Sequence, residues 1–123
     1  MTDSMIIPTC ERHQSIIRLL RSLAEQKQLP GEIIIVDSSN KSQNEKELKS
    51  LFPALQIKYL HTIKKSVCMQ RNIGIQNATG EYVLLCDDDI QMPDDYLLKL
   101  IQHRKTTSQL IGRVIFKQKL IGK

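Results

Sequence analysis

EIIIVD, residues 32–37, contains four consecutive β-branched residues and ends in an aspartate. The run shows no alternation of apolar and polar residues, so neither face of the segment is predicted to face water. A strand with both faces covered is typical of a parallel sheet with helices packed on its two sides. We therefore predict that residues 32–37 form a central strand of an α/β domain.

Segments typical of strands and helices alternate on both sides of this strand. The predicted strands are residues 4–9, 32–37, 55–62, 81–86 and 108–118. The predicted helices are residues 12–28, 45–52, 66–78 and 92–106. Such alternation predicts right-handed βαβ units. The chain of 123 residues has the length of one domain. We expect an α/β fold over residues 1–123, with a mostly parallel sheet and helices on both faces.

The composition narrows the class of protein. Aromatic residues make up 4% and tryptophan is absent, which argues against a stacking platform for nucleic acid. The net charge of +5 comes from dispersed basic residues. They form either a solvated surface or an attraction for phosphates or an acidic membrane face. Three cysteines without a CxxC pair, no signal peptide and no membrane-length apolar run favour a cytoplasmic protein, at most peripheral to a membrane.

Three predicted strands end at the sheet edge where ligands of open α/β sheets bind. The residues at these strand ends are Pro8–Cys10, Asp37–Ser38 and Asp87–Asp89. Three consecutive aspartates repel one another unless solvent, a helix end or a cation offsets the repulsion. Because Mg²⁺ is usually held by one or two carboxylates together with substrate phosphates, a metal site is the favoured interpretation. A water-facing helix cap is the alternative.

Basic residues upstream of the aspartates fit a phosphate ligand. We expect Arg71 near the start of a helix and Lys64–Lys65 in the loop before it. A guanidinium there can grip phosphate or hold an acid in place. Asp37 has two interpretations of about equal weight. Its carboxylate either accepts hydrogen bonds from a ribose or a base, or it forms a local turn with residues 38–40.

Several well-known catalytic motifs are absent from the sequence. There is no GxGxxG, no GxxxxGK[ST] and no GxSxG, which removes the dinucleotide-binding, P-loop and serine hydrolase interpretations. The three histidines have no partners at metal-ligand spacing. Asp94 and Asp95 follow Pro93 and are interpreted as helix-start residues, because the helix dipole favours acids there.

Two long segments resemble a known family. Residues 6–40, IIPTCERHQSIIRLLRSLAEQKQLPGEIIIVDSSN, resemble the opening of the inverting glycosyltransferases of family 2, which have the GT-A fold. Residues 70–97, QRNIGIQNATGEYVLLCDDDIQMPDDYL, resemble the same family's arginine-asparagine helix, Gly-Glu strand and aspartate metal motif. The two segments occur in the family's order and spacing, and together they are specific.

The resemblance implies a role for each candidate residue. Pro8, Thr9 and the residues just after them would contact the nucleobase of a nucleotide sugar. Asp37 would lie beside the nucleoside, and Arg71 would lie near the diphosphate or order the acidic loop. Mg²⁺ or Mn²⁺ would bind Asp88 first, or Asp87 and Asp89 as a pair. The predicted donor-binding residues are Pro8, Thr9, Cys10, Arg12, Asp37, Ser38, Arg71 and Asp87, and the predicted metal ligands are Asp88 and Asp89.

Three departures from the family pattern affect this interpretation. Cys10 stands where many members have tyrosine, and Ser38 stands where many have a second aspartate. These two departures bear on which nucleobase the donor carries. No acidic residue follows Asp95, although the family's acceptor-binding half normally carries an acidic general base there. We expect a truncated glycosyltransferase that lacks the catalytic general base and needs a partner chain or a C-terminal half.

The predicted function follows from the resemblance. The intact enzyme would transfer a sugar from a UDP-, GDP- or dTDP-linked donor to an acceptor hydroxyl with inversion, and a lipid-linked acceptor at a membrane surface is one option. We expect this chain by itself to bind the donor without transfer, and to bind no nucleic acid. The main alternative is a non-catalytic nucleotide-binding or interaction module. A phosphoacceptor signalling domain built on Asp37 and a nucleotidyltransferase are weaker alternatives.

Overall fold

The computed structural model describes residues 3–41, 45–102, 108–111 and 114–118. Strands and helices alternate through α4, and two further strands follow. The strands are β1 (Asp3–Thr9), β2 (Glu32–Asp37), β3 (Ile57–His61), β4 (Tyr82–Cys86), β5 (Ser108–Ile111) and β6 (Val114–Gln118). The helices are α1 (His13–Ala24), α2 (Glu45–Leu51), α3 (Val67–Gln76) and α4 (Tyr96–Gln102).

The described strands form one six-stranded sheet in the order β3-β2-β1-β4-β6-β5. The four strands β3, β2, β1 and β4 run parallel, whereas β6 pairs antiparallel with both β4 and β5. The predicted mostly parallel sheet is therefore confirmed. From β1 the chain first builds outward to β2 and β3 and then returns to place β4 on the other side of β1. This reversal marks the edge of the β1–β4 pair as the expected ligand site.

Helices cover both faces of the sheet, as predicted. Because successive side chains of a strand point to opposite faces, Met5 and Ile7 of β1 pack on one face and Ile6 on the other. The first face also carries buried residues of three helices, namely Ile16, Leu19, Leu20 and Leu23 of α1, Leu48 of α2, and Leu97 and Leu100 of α4. The second face packs against Ile73 and Ile75 of α3. The run EIIIVD forms β2, an interior strand between β3 and β1, with Ile33–Asp37 buried.

Helix α3 lies very close to β1 because Gly74 has no side chain. A Cβ atom built at Gly74 would lie 2.3 Å from Cγ2 of Ile6, which is well inside van der Waals contact. The close approach brings the first turns of α3 against the carboxyl ends of β1 and β2. Gln70, one helical turn before Gly74, reaches these strand ends for the same reason.

The structure corrects several predicted boundaries. The segment predicted as one strand over residues 108–118 forms two antiparallel strands, β5 and β6. The available sequence signal for two strands was the glycine between the two short apolar runs of this segment. Helix α1 ends at Ala24, earlier than predicted. Helix α4 begins at Tyr96, so Asp94 and Asp95 precede it, and its predicted extension over residues 103–106 lies outside the described residues.

Candidate functional site

A cleft of about 260 Å³ opens at the carboxyl ends of β1 and β4. Its lining comes from the end of one strand, from the segments that follow β1 and β4, and from the first turns of α3. The lining residues are Pro8 and Thr9 at the end of β1, Cys10 and Arg12 before α1, Val67 and Gln70 of α3, and Asp87, Asp88 and Asp89 after β4. The cleft therefore lies at the predicted edge and contains seven of the ten predicted site residues.

Each of the three consecutive aspartates is paired with a cationic side chain. Arg12 Nη1 lies 3.6 Å from Asp88 Oδ1 and 3.9 Å from Asp89 Oδ2. Arg71 Nη2 lies 3.3 Å from Asp87 Oδ1. Thr9 Oγ1 donates a hydrogen bond of 2.8 Å to the other oxygen of Asp88. The two guanidinium groups thus offset the repulsion among the carboxylates.

Arg12 is held at the cleft by an unusual backbone conformation. Glu11 has a φ of 53°, the left-handed region that residues other than glycine rarely adopt. Two hydrogen bonds fix this conformation: the Glu11 N–H donates to Ser39 Oγ at 2.7 Å, and the Asn40 N–H donates to Glu11 Oε2 at 3.0 Å. The loop after β2 therefore determines the backbone direction from which Arg12 reaches the aspartates.

Gln70 is a cleft residue that the sequence analysis missed. Its buried side chain donates to the carbonyl oxygens of Thr9 (2.9 Å) and Val36 (2.7 Å) and accepts from Ser38 Oγ at 3.3 Å. One side chain of α3 therefore ties together the ends of β1 and β2. The available sequence signal was its spacing of four residues from Gly74, since the two lie on one helical face.

Asp37 and Ser38 do not line the cleft. Asp37 is fully buried, and its Oδ1 accepts hydrogen bonds from the N–H (3.0 Å) and Oγ (2.5 Å) of Ser39. Its Oδ2 accepts from the Tyr59 hydroxyl. This geometry matches the local turn, which was one of the two interpretations of Asp37. A nucleoside contact by Asp37 or Ser38 stays a prediction.

Arg71 also lies outside the cleft lining, in the interior of α3 rather than at its start. Its ion pair with Asp87 corresponds to the role of ordering the acidic loop, and a contact to diphosphate stays a prediction. Arg71 Nε is buried and has no hydrogen-bond partner within the described part of the chain. From the loop before α3, Lys65 Nζ donates to the Ser38 carbonyl at 2.7 Å and lies 4.0 Å from Cys10 Sγ.

The aspartates fit a divalent cation only in part. Over residues 3–41, 45–102, 108–111 and 114–118, no group of three or more His, Cys, Asp or Glu side chains could hold a metal ion. Asp88 and Asp89 do offer carboxylate oxygens at a cleft, which is the ligand type that Mg²⁺ and Mn²⁺ prefer. The donor set therefore suits a cation that takes protein carboxylates and completes its coordination with phosphate oxygens.

A second cleft, of about 270 Å³, lies at the amino ends of the strands. It is lined by Asp3, Gly31, Glu32, Gln56, Ile57, Lys58, Thr79 and Gly80. Burial raises the pKa of Glu32, but hydrogen bonds from Ser4 and Thr79 and the charge of Lys58 outweigh it and lower the pKa overall. Burial raises the pKa of Asp3, whose Oδ2 has no hydrogen-bond partner among the described residues.

Comparison with known proteins places this chain in a family. The family model described as "Glycosyl transferase family 2" matches residues 4–119. The chain belongs to glycosyl transferase family 2. The predicted resemblance is thereby confirmed, and it extends over nearly the whole chain. The match includes both the cleft residues and the strands that position them.

Relatives within family 2 are longer than this chain. The glycosyltransferase YwdF of Bacillus subtilis is 33% identical over 107 residues, which cover 86% of this chain and 39% of YwdF. The transferase WcaA of Escherichia coli, named for colanic acid biosynthesis, is 33% identical over 106 residues, or 83% of this chain and 37% of WcaA. The chain thus spans less than two fifths of the length of these relatives.

Solved structures confirm the GT-A glycosyltransferase fold. TarS of Staphylococcus aureus, in complex with UDP-GlcNAc, superposes with a TM-score of 0.73 at 27% identity and covers 88% of this chain and 33% of that structure. The mannosyltransferase PcManGT of Pyrobaculum calidifontis, solved with GDP-Man and Mn²⁺, superposes with a TM-score of 0.76 at 17% identity. It covers 94% of this chain and 44% of that structure, and at this identity it supports the fold alone.

None of the helices in the described ranges is long and apolar enough to cross a membrane.

Proposed function

We propose that this chain is the donor-binding domain of a metal-dependent family 2 glycosyltransferase. The observation that carries the proposal is the position of three aspartates, paired with two arginines, at the cleft where β1 and β4 end. Ligands of open α/β sheets bind at this kind of edge. Family membership supports an activated sugar as the ligand, and the solved complex of TarS with UDP-GlcNAc supports a nucleotide-diphosphate sugar.

Specific groups would bind each part of this donor. Asp88 and Asp89 would hold Mg²⁺ or Mn²⁺, which, when bound, neutralises charge on the diphosphate leaving group. Arg12 lies beside the same aspartates and can pair with phosphate oxygens. Pro8, Thr9 and Cys10 form the wall on the β1 side, where the base would lie.

Sugar transfer by the whole protein is a second part of the proposal. We propose transfer to an acceptor hydroxyl with inversion, in one displacement, with a general base outside residues 1–123. The greater length of the relatives leaves room for an acceptor-binding part. This chain by itself is then expected to bind donor without transferring the sugar. A cytoplasmic location and a lipid-linked acceptor stay predictions.

Calorimetric titration tests the donor-binding proposal directly. UDP, GDP and dTDP are titrated into the chain with and without Mn²⁺. We expect one of the three to bind with an affinity that rises at least tenfold when Mn²⁺ is present. Failure of all three to bind the folded chain would contradict the proposal. The preferred nucleotide would also identify the nucleobase of the donor. The departures from the family pattern at Cys10 and Ser38 leave that nucleobase open.

A metal-independent nucleotide-binding module is the second candidate. It is favoured by the arginine partners of the aspartates, which offset part of the carboxylate charge, because Arg12 lines the cleft and can itself bind a diphosphate. Equal affinity with and without Mn²⁺ in the same titration would select this candidate. The signalling-domain alternative is disfavoured, because both carboxylate oxygens of buried Asp37 are occupied by hydrogen bonds from the chain itself.

A further inference from the structure

Arg12 contacts the carboxylate oxygen that a metal ion at Asp88 would need. Thr9 Oγ1 donates to Asp88 Oδ2, so the second oxygen, Oδ1, is the one directed to Arg12 at 3.6 Å. The same guanidinium nitrogen lies 3.9 Å from Asp89 Oδ2. A divalent cation bound to these two oxygens would meet the positive guanidinium at close range. Arg12 and the metal therefore compete for one position.

The contacts of Arg12 are of a kind that can be exchanged. Charge-assisted N–H···O bonds are typically about 2.7–2.9 Å long, and both contacts of Arg12 are longer. The Arg12 side chain is 53% exposed, whereas that of Asp88 is 11% exposed. The left-handed Glu11, held by Ser39 and Asn40, anchors the backbone. The Arg12 side chain can therefore leave the aspartates while the Arg12 backbone stays fixed at the cleft.

We propose that Arg12 is an internal counter-ion of the donor cleft. It occupies Asp88 and Asp89 while no divalent cation is bound, and it is displaced from them when the cation arrives. This inference rests on the proposed function and concerns the regulation of the same site. Once displaced, the guanidinium is available to the diphosphate, because Arg binds phosphate oxygens through the same fork of donors that it offers to carboxylates.

One consequence is coupling between metal and nucleotide. Metal binding without nucleotide must separate Arg12 from its carboxylates and leave it without that partner. When a diphosphate is present, the displaced arginine gains new hydrogen-bond acceptors, which offset the free-energy cost of separating it from the carboxylates. The metal should therefore bind weakly by itself and more tightly together with the nucleotide, and a substitution of Arg12 should reduce this difference.

The test measures binding of Mn²⁺ alone to the complete chain by electron paramagnetic resonance, in which free Mn²⁺ gives the signal. Arg12→Gln is expected to lower the Kd for Mn²⁺ by about three- to tenfold, the range expected for loss of exposed ion pairs. Arg18→Gln is the matched control. It removes the same charge from α1, where Arg18 is exposed and its guanidinium donates to Ser15, and it should leave the Kd within about twofold of wild type.

The conservative variant and the contrary outcomes complete the test. Arg12→Lys keeps the charge and is expected to give a Kd close to that of wild type. An unchanged or higher Kd in Arg12→Gln would overturn the inference, as would an equal decrease in Arg18→Gln. Because nucleotide is absent, these results are separate from the proposed function, which would fail instead if wild-type chain bound none of the nucleoside diphosphates.

Discussion

The two ends of the sheet both carry clefts lined by carboxylates, yet the partners of those carboxylates differ. At the amino end, Glu32 Oε2 accepts hydrogen bonds of 2.6–2.9 Å from Ser4 Oγ and from the N–H and Oγ of Thr79. At the carboxyl end, Asp88 and Asp89 face a half-exposed arginine at 3.6–3.9 Å. The three hydrogen bonds to Glu32 Oε2 are short and come from β1 and the turn at Thr79, whereas both contacts of Arg12 are long and exchangeable.

This difference shows what separates a structural cluster from a ligand site. The volumes do not separate them, since the clefts measure about 270 and about 260 Å³. Oε2 of Glu32 is held by short hydrogen bonds from Ser4 and from the turn at Thr79, whereas its Oε1 faces Lys58 Nζ at 3.5 Å. Asp88 keeps one oxygen on a donor that can leave. We therefore expect substitutions at the amino end to change stability and substitutions at the carboxyl end to change binding.

The largest expected effect is that of Asp88→Asn on metal-dependent nucleotide binding. The amide can still accept from Thr9 but carries no charge for a cation, so affinity should fall about a hundredfold, roughly 2.7 kcal/mol. Calorimetry with nucleotide and Mn²⁺ measures this loss. Asp94→Asn is the control, because Asp94 is exposed and does not line the cleft. Binding by Asp88→Asn within twofold of wild type would refute the metal role.

Glu32→Gln is expected to give the next largest effect, on stability alone. The amide nitrogen would face hydroxyl and N–H donors, and the free energy of unfolding should fall by about 2 kcal/mol. The folded pKa of Glu32 lies below its ordinary value. The carboxylate therefore contributes fully to folding stability when the pH is above that ordinary pKa. This contribution is lost as the pH falls through the folded pKa, so the difference between the two proteins should shrink in acid.

Urea unfolding between pH 3 and pH 7 measures this difference. Glu25→Gln on exposed Glu25 serves as the control and should stay within about 0.5 kcal/mol of wild type. Nucleotide binding by folded Glu32→Gln should be unchanged. A loss of binding without a loss of stability would mean that the amino end contributes to the ligand site.

Asp3→Asn is expected to stabilise the chain by about 1 kcal/mol at neutral pH, because a neutral amide costs less to bury than a carboxylate with one unpartnered oxygen. The folded pKa of Asp3 is raised by burial. Asp3 therefore contributes most to folding stability when the pH is below its unfolded pKa, and this contribution is lost as the pH rises through the folded pKa. The gain from the substitution should vanish near pH 3. A destabilised variant at pH 7 would contradict this account.

The smallest expected effect is that of Thr9→Val, which removes the hydroxyl that fixes Asp88. Affinity for Mn²⁺ should fall about threefold, the order expected for one lost hydrogen bond. Thr79→Val is the counterpart at the amino end, since it removes a hydroxyl bonded to Glu32. It should lower stability without changing Mn²⁺ affinity. Equal effects of the two substitutions on Mn²⁺ affinity would remove the distinction between the ends.

Much of the fold could be predicted because its signals are local. The uninterrupted EIIIVD run and the alternation of strand and helix patterns determined the parallel sheet and its helices. The division of residues 108–118 into β5 and β6 and the late start of α4 were missed, because an apolar run does not show where its pairing partner changes. Element boundaries depend on such tertiary contacts more than on propensity.

The candidate site was predicted in its position but not in its internal contacts. The cleft contains the aspartates and Pro8–Cys10, because strand ends in a parallel sheet meet at one edge. The local turn at Asp37 was one of the two interpretations drawn from its neighbours, but its bond to Tyr59 and the hydrogen bonds of Gln70 link residues distant in sequence. The bonds of Gln70 depend on how closely α3 approaches β1, and Gly74 permits that approach.

Paramagnetic broadening by Mn²⁺ tests the contrast between the two ends most directly. Amide signals of the ¹⁵N-labelled chain are recorded with substoichiometric Mn²⁺, first alone and then with UDP. We predict selective loss of the amide signals of Thr9, Cys10, Asp88 and Asp89. Those of Gly31, Glu32 and Gly80 should remain. Broadening centred on the amino-end cleft, or spread evenly over the sheet, would contradict the assignment of the carboxyl end as the metal and donor site.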